Sequence, residues 1–247
     1  MSWYTVYYNK QYCGEKAMQS RYMLKLRAKQ ILVSVKPSPL FAGMMLTAIS
    51  FLIYIFQYSG SGNTYAELIN SGVRDITKLS EALVSDLTGN TGALVLRLVF
   101  SLLNTYISFG LVCYSFRLSS GETAVPLQEM FPTVLSFLKF FLLTIITSIV
   151  AAIGMLFFII PGIILALCYS QAKYIMLDHP EMSVIQCMTA SRKLMRGHLG
   201  EYFVLVLSFI GWNILTSISV ITGIWTYPYT GITMALYYRV VSTEITV

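Results

Sequence analysis

Uncharged runs long enough to cross a membrane constrain this chain more than any other feature. Leu40 to Tyr58 is a run of 19 residues without a charge, and a helix of that length crosses the ~30 Å hydrocarbon layer of a bilayer. Charged residues make up only 11% of the chain and hydrophobic residues 56%, whereas an average soluble domain is roughly 25% charged. A water-soluble fold and a disordered chain are therefore excluded. The sequence predicts an all-α, polytopic membrane protein.

The uncharged runs predict six transmembrane helices. Together they form one membrane domain, residues 40–240, which follows an N-terminal cytoplasmic or interfacial segment, residues 1–39. The predicted spans are residues 40–58, 93–116, 134–160, 163–177, 202–221 and 223–238.

Lysine and arginine are distributed unevenly around these spans. They collect in the first 37 residues, at Arg117, in the loop after the fourth span and at Arg239, whereas the loop of residues 57–92 carries four acids beside two cations. Because cytoplasmic loops carry the excess of Lys and Arg, both termini are predicted to lie in the cytoplasm and the protein in the plasma membrane. The net charge of +6 accordingly predicts attraction to anionic lipids of the cytoplasmic leaflet and not binding to nucleic acid.

A helical pattern precedes the first span. Leu24, Ala28, Ile31 and Val35 recur on one face, and a basic stripe occupies another. Such a pattern is typical of a helix in the membrane interface, with its basic face toward the head groups. A cytosolic helix packed against the membrane domain is the alternative. The basic stripe consists of Arg21, Lys25 and Lys29.

Two loops each predict a further amphipathic helix. Residues 65–87 form the outer one, which lies either on the rim of the membrane domain or as a cap over a cavity. Residues 180–197 form the inner one, which Asp178 and Glu181 cap at its start and Gly197 ends. A basic patch on the inner helix either binds anionic lipid or an acidic partner, or serves only to enforce the topology. The patch consists of Arg192, Lys193 and Arg196.

Polar residues within the spans are the candidates for lining a cavity. They are Arg97, Asn104, Gln171 and Asn213. Arg97 either reaches the head groups with its long side chain or recognises an anionic group, and the three amides either bridge helices or bind a ligand. Because the predicted spans hold no Asp or Glu, a carrier coupled to protons or sodium through carboxylates is disfavoured.

Pro161 and Gly162 predict a break between the third and fourth spans. Proline lacks the backbone N–H that continues a helix, and glycine adopts unusual backbone angles. The break forms either a tight hairpin or a discontinuous helix whose freed carbonyls bind a ligand. The hairpin is the simpler interpretation.

Residues for catalysis or metal binding are missing from the sequence. His179 and His198 flank the inner loop without cysteines or carboxylates at metal-ligand spacing, and no nucleophile or phosphate-binding motif is found. The four cysteines show no metal spacing either and are interpreted as small apolar residues. A non-enzymatic protein without metal or cofactor is expected.

Short motifs spread in order along residues 21–240 match those of a known family. They are Leu24-Lys25-x-x-Ala28-Lys29, Gly121-Glu122 with Met130-Phe131, Ile160-Pro161-Gly162-Ile163-Ile164 with Tyr169-Ser170, Ala190-x-x-x-Leu194-Met195-x-Gly197-His198, and Leu207-Ser208-Phe209-Ile210-Gly211-Trp212. With them the chain resembles the bacterial integral membrane family catalogued as domain of unknown function nine-seven-five. The resemblance implies a six-helix fold, a membrane location and a relation to the membrane domain of some glycerophosphodiester phosphodiesterases. It implies no reaction.

Two functions stay open on these observations. The first is a permease-like or transport component for a small amphiphile, peptide or lipid, which the six spans, the amphipathic helices and the break at Pro161 favour. The alternative is a membrane adaptor or scaffold that binds lipids or organises a partner protein through its basic inner surface. Whether the protein forms a homo-oligomer is not readable from the sequence.

Overall fold

The computed structural model describes residues 21–35, 38–52, 91–122, 125–126 and 133–245. Within those ranges every regular element is a helix, which confirms the all-α class. The predicted outer helix, residues 65–87, lies outside the described residues. The helices are α1 Arg21–Ser34, α2 Leu40–Leu52, α3 Thr91–Ser119, α4 Val134–Phe157, α5 Ile159–Tyr169, α6 Ala172–Asp178, α7 Val184–Leu194, α8 Leu199–Leu207, α9 Ile210–Ile218 and α10 Gly223–Ile245.

Four helical stretches among the described residues are long and apolar enough to cross a membrane. They establish a helical membrane protein, while the count of six spans and the orientation of the termini stay predictions. The stretches are Leu98–Ser119, Val134–Phe157, Ile159–Asp178 and Leu199–Ile218.

Two of these stretches are each made of two helices. The third is interrupted at Ser170 and Gln171, between α5 and α6, and the fourth at Ser208 and Phe209, between α8 and α9. At each interruption the serine hydroxyl donates to a carbonyl three residues earlier, and the Ser170 Oγ lies 2.7 Å from the Leu167 oxygen. The hydroxyls thus satisfy carbonyls that the interrupted helix leaves without their usual partner.

A tight hairpin joins α4 to α5. The chain reverses at Phe158, a single extended residue with φ −158°, three residues before the predicted break at Pro161. Pro161 is instead the third residue of α5, where a helix needs no N–H donor. The helices touch through their glycines, since a Cβ added to Gly154 would lie 2.9 Å from the Cα of Gly162. Of the two predicted alternatives, this region is therefore the tight hairpin. Its turn lies closer to the N-terminus than Pro161.

The inner amphipathic helix begins and ends inside the predicted range of residues 180–197. Its cap is Ser183, whose Oγ accepts from the Gln186 N–H at 3.4 Å while the Gln186 Oε1 accepts from the Ser183 N–H at 2.8 Å. This reciprocal pair satisfies two N–H groups at once, and Asp178 ends α6 instead of starting α7. Gly197 has φ +88°, as its predicted role at the helix end requires, but α7 already ends at Leu194.

The N-terminal helix α1 packs against α10. Its apolar face is covered by protein, because Leu24, Ala28, Leu32 and Val35 are all buried. Of the two predicted alternatives, α1 is therefore the helix packed against the rest of the protein. Its apolar face does not lie in the bilayer. Ile31, placed on the same face by the sequence pattern, is only partly buried.

The described charges at the start of α4, at the end of α6 and near the end of α10 lie at one end of the molecule, named here the charged end. Lys139 Nζ, near the start of α4, donates to the Pro180 carbonyl at 2.8 Å, and the Tyr237 hydroxyl of α10 donates to the His198 carbonyl before α8 at 3.2 Å. The turns at Phe158 and Ser219 lie at the opposite, uncharged end. There the side chains of residues 156–160 are 72–84% exposed and apolar, as expected of a surface that faces lipid.

Candidate intramembrane cavity

A cavity of ≈ 200 Å³ lies among α3, α6, α9 and α10. Its apolar wall comes mainly from Leu111 and Val112 of α3 and Met234 of α10. Its polar lining consists of Lys173, Tyr174, Asn213, Thr226, Tyr227 and Thr230. The cavity therefore joins one positive charge, one amide and four hydroxyl-bearing side chains to an apolar wall.

Lys173 is the one formal charge in this lining. It is the second residue of α6, five residues before Asp178, and therefore lies ~7.5 Å along the helix from the charged end. Its Nζ lies 5.1 Å from the centroid of the Tyr174 ring, within the range of a cation–π contact. None of the carboxylates in the described ranges is within ion-pair distance of it.

The two threonines of the lining lie one turn apart on α10. The Thr226 hydroxyl donates to the Thr222 carbonyl at 3.0 Å, and the Thr230 hydroxyl donates to the Thr226 carbonyl at 2.7 Å. Their hydrogens are thus used within the helix. Gly231 follows on the same wall, and a Cβ there would lie 2.7 Å from the Ser115 Oγ of α3. Glycine at this position therefore lets α3 and α10 approach closely beside the cavity.

Of the three candidate polar residues whose side chains the structure describes, one lines this cavity. Asn213 does so from the exposed surface of α9. Gln171 is fully buried, and its Nε2 donates to the Ser170 Oγ at 3.1 Å while its Oε1 has no hydrogen-bond partner. The Asn104 Oδ1 on α3 is also buried without a partner. The side chain of Arg97 lies outside the described residues.

Most of the lining residues were not among those predicted from the sequence. Thr226 and Thr230 are four residues apart and so share one face of a helix, which is the signal that could have marked them. Lys173 was recognisable as a cation inside an apolar stretch. Its position beside Asn213 could not be inferred, because the two residues belong to different helices.

The basic patch lies on the exposed side of α7 and the turn after it. Arg192, Lys193 and Arg196 are exposed, whereas the opposite side of α7 is fixed to α5 by the buried Ser191 hydroxyl, which donates to the Cys168 carbonyl at 2.7 Å. The described carboxylates form no ion pair with the patch. The patch is thus accessible at the charged end.

The basic stripe of α1 does not act as one surface. Lys25 is partly buried, and its Nζ lies 4.6 Å from the centroid of the Phe209 ring. Lys29 is exposed, and the side chain of Arg21 lies outside the described residues. Lys25 therefore connects α1 to the interruption between α8 and α9.

Arg239 joins three helices at the charged end, in a cluster named here the arginine clamp. Its Nη2 donates to the Ser120 Oγ at 2.6 Å, its Nη1 lies 3.5 Å from the Asp178 Oδ1, and its guanidinium carbon lies 4.1 Å from the Phe116 ring centroid. Asp178 also accepts a hydrogen bond from the Tyr238 hydroxyl at 2.9 Å. The clamp ties α10 to the ends of α3 and α6.

The cysteines of the described ranges are free thiols. Cys168 and Cys187 are buried and Cys113 is partly buried; Cys13 lies outside those ranges. Burial raises the pKa of the Cys187 thiol, which makes it a poor nucleophile near neutral pH. Among the residues that the structure describes, no three His, Cys, Asp or Glu side chains are grouped in a way that could hold a metal ion.

Comparisons with known proteins give a family match over part of the chain and no activity. No curated protein and no solved structure matches the chain. The relation to the membrane domain of glycerophosphodiester phosphodiesterases stays a prediction. Residues 148–244, which include Pro161, Lys173, the basic patch and Asn213, match the family described as Protein of unknown function (DUF975), which is the family that the sequence motifs indicated.

Proposed function

We propose that the protein is a non-enzymatic membrane protein that binds a small amphiphile and acts as a permease-like component for it. The observation that carries the proposal is the cavity among α3, α6, α9 and α10, which combines an apolar wall with a few polar groups. Ligand sites in proteins have this composition. An amphiphile offers both kinds of surface in return.

The size of the cavity narrows the choice of ligand. Sites that enclose drug-sized molecules measure roughly 300–1,000 Å³, and this cavity measures ≈ 200 Å³. A peptide is therefore too large to be enclosed. A head group with the first part of one acyl chain matches the space, provided that the rest of the chain stays in the bilayer.

Access from the side supports the same ligand class. Asn213 lines the cavity and is also exposed on α9, next to the exposed Trp212 and Ile214. These residues belong to the apolar stretch Leu199–Ile218, whose surface faces lipid. An amphiphile dissolved in the bilayer can thus reach the cavity without passing through water.

Protection of a cavity cysteine tests the proposal. In full-length protein lacking its native cysteines, Thr230→Cys is placed in the cavity and Ser217→Cys on the exposed surface of α9 as the matched control. Laurate, dodecanol and dodecylammonium are each added before a small maleimide. We expect at least one of them to slow labelling of Thr230→Cys and not of Ser217→Cys, and the same compound to cross proteoliposomes faster than empty liposomes.

Two results separate the parts of this proposal. Equal labelling of both cysteines with every compound would contradict the binding site. Protection without flux would retain the binding site and remove the permease role.

A membrane adaptor is the second candidate, and one observation favours it. The basic patch is exposed and pairs with none of the described carboxylates, and each such cation near an anionic leaflet is worth about 1 kcal/mol of attraction. Replacing Arg192, Lys193 and Arg196 together by Gln should then release a partner or weaken binding to anionic vesicles. If binding to a partner and to anionic vesicles is unchanged, these cations would serve only to orient the protein in the membrane.

A further inference from the structure

We propose that the cavity selects amphiphiles with a small anionic head group and that Lys173 is the counter-ion. This inference rests on the proposed function, because it names the ligand class of the same cavity. It follows from charge, from unused hydrogen-bond donors and from size.

The charge of the cavity is uncompensated by the described residues. Lys173 contributes an ammonium group to the lining, and none of the described carboxylates pairs with it. No charged residue occurs between Lys139 and Lys173 or between Glu201 and Arg239, so the membrane stretches around the cavity supply no acid. A cation in an apolar region is costly unless it is paired. An anionic head group would supply the missing charge.

Hydrogen-bond donors in the cavity are also unused. The side-chain amide of Asn213 and the hydroxyl of Tyr227 line the cavity together with Lys173, and none of the three donates a hydrogen bond to another described group. Water is absent from the hydrocarbon region and cannot satisfy such donors there. A carboxylate or phosphate accepts several hydrogen bonds at once. An alcohol accepts fewer hydrogen bonds and an ammonium group accepts none, so either head group would leave donors of the cavity without a partner.

The hydroxyls of Thr226 and Thr230 are not free to donate a hydrogen bond to a ligand. Their hydroxyl hydrogens are directed at carbonyls of α10 itself. The donors that remain among the lining residues are therefore one ammonium, one amide and the phenols of Tyr174 and Tyr227, and this set suits an oxyanion.

Size and access decide between a free anion and the head of an amphiphile. A carboxylate alone would leave much of the ≈ 200 Å³ empty, since one water molecule occupies about 30 Å³. The apolar wall at Leu111, Val112 and Met234 accommodates the first methylene groups of a chain. The opening beside Asn213 then leads the rest of the chain into the bilayer.

The test uses full-length protein in a non-ionic detergent and the Thr230→Cys protection assay. Laurate carries the anionic head, dodecanol the same chain with a neutral head, dodecylammonium a cationic head, and acetate the anionic head without a chain. Lys173→Gln removes the proposed counter-ion and Lys29→Gln removes an exposed cation of α1 as the matched control. Lys173→Arg keeps the charge.

We expect laurate to protect at a concentration at least tenfold lower than dodecanol, and both acetate and dodecylammonium to protect least. Lys173→Gln should weaken protection by laurate at least tenfold and leave protection by dodecanol unchanged. Lys29→Gln should change neither, and Lys173→Arg should retain the preference for laurate. The comparison of laurate with dodecanol in protein that keeps Lys173 needs no charge variant, so it stands even where Lys173→Gln fails to fold.

Three results would overturn the inference, and they differ from failure of the proposed function. Equal protection by laurate and dodecanol would remove the selection for an anion. Unchanged laurate protection in a folded Lys173→Gln protein would remove Lys173 as counter-ion. Acetate as effective as laurate would assign the site to free anions. Protection by none of the compounds would instead refute the amphiphile site itself.

Discussion

Two pairs of helices, α4 with α5 and α9 with α10, both reverse at the uncharged end, yet they pack in different ways. The first pair turns through one residue, and its backbones touch at Gly154 and Gly162. The second pair turns through Ser219 and a short 3₁₀ helix, Val220–Thr222, and contributes threonines and Asn213 to a cavity. Small residues therefore close one pair, and polar residues leave space beside the other.

The difference reflects what holds helices together in a membrane. Lipid tails are as apolar as leucine, so helices gain stability from close packing and hydrogen bonds and not from hiding apolar surface. The hairpin of α4 and α5 maximises close packing. Beside the cavity, α10 packs less closely against its neighbours, and hydrogen-bond donors have no partner. This loss of stability is reasonable where a ligand binds.

The largest expected effect comes from separating the backbones of the tight hairpin. In Gly162→Ala the new Cβ would lie 2.6 Å from the Met155 backbone nitrogen, which cannot move aside cheaply. Overpacking of this kind costs about 1–3 kcal/mol. Reversible unfolding in mixed micelles should show this loss of unfolding free energy.

Gly211→Ala in α9 is the matched control, because nothing lies within 4 Å of a Cβ there. It should leave stability unchanged or raise it by up to about 1 kcal/mol, since alanine favours helix more than glycine does. Equal losses in the two variants would mean that the glycine contact does not distinguish the hairpins.

A smaller effect is expected at the charged end, which both pairs of helices share. Asp178→Asn weakens the contact to Arg239 and to the Tyr238 hydroxyl, and the Asp178 side chain is 31% exposed. A partly exposed pair with one hydrogen bond is worth about 1 kcal/mol. The same unfolding measurement should show that loss.

Glu181→Gln serves as the control for the charged end, because its side chain is 69% exposed. Little change is expected there. A loss as large as that of Asp178→Asn would show that general charge at this end, and not the arginine clamp, stabilises the protein.

The smallest effect on stability is expected in the cavity. Thr230→Val replaces a hydroxyl that bonds only to its own helix by a methyl group of similar size. The unfolding free energy should change by less than about 0.5 kcal/mol. A loss comparable to that of Gly162→Ala would show that the cavity wall is as tightly packed as the hairpin.

Much of the fold could be predicted from the spacing of charges. The apolar stretches Val134–Phe157, Ile159–Asp178 and Leu199–Ile218 agree with the predicted third, fourth and fifth spans to within four residues at each end. The interruptions at Ser170 and Ser208 were missed, because neither position carries the proline or glycine that usually marks a break. The turn lies three residues before the position that Pro161 predicted, because the first turn of a helix tolerates proline.

Helix α10 shows why polar content alone misleads in a membrane protein. It contains buried polar residues such as Thr226 and Thr233, and it is not among the four stretches apolar enough to be assigned to the membrane. Yet it packs against α1, α3 and α9, so protein and not lipid surrounds much of it. Its neighbours, and hence the cavity, depend on contacts between helices that a single sequence does not reveal.

The arginine clamp limits how the cavity can change shape. Arg239 ties α10 to Ser120 beyond α3 and to Asp178 at the end of α6, and these are three of the four helices that enclose the cavity. Their ends are thus pinned together on the charged side. We therefore expect the cavity to widen more easily toward the uncharged end than at the charged end.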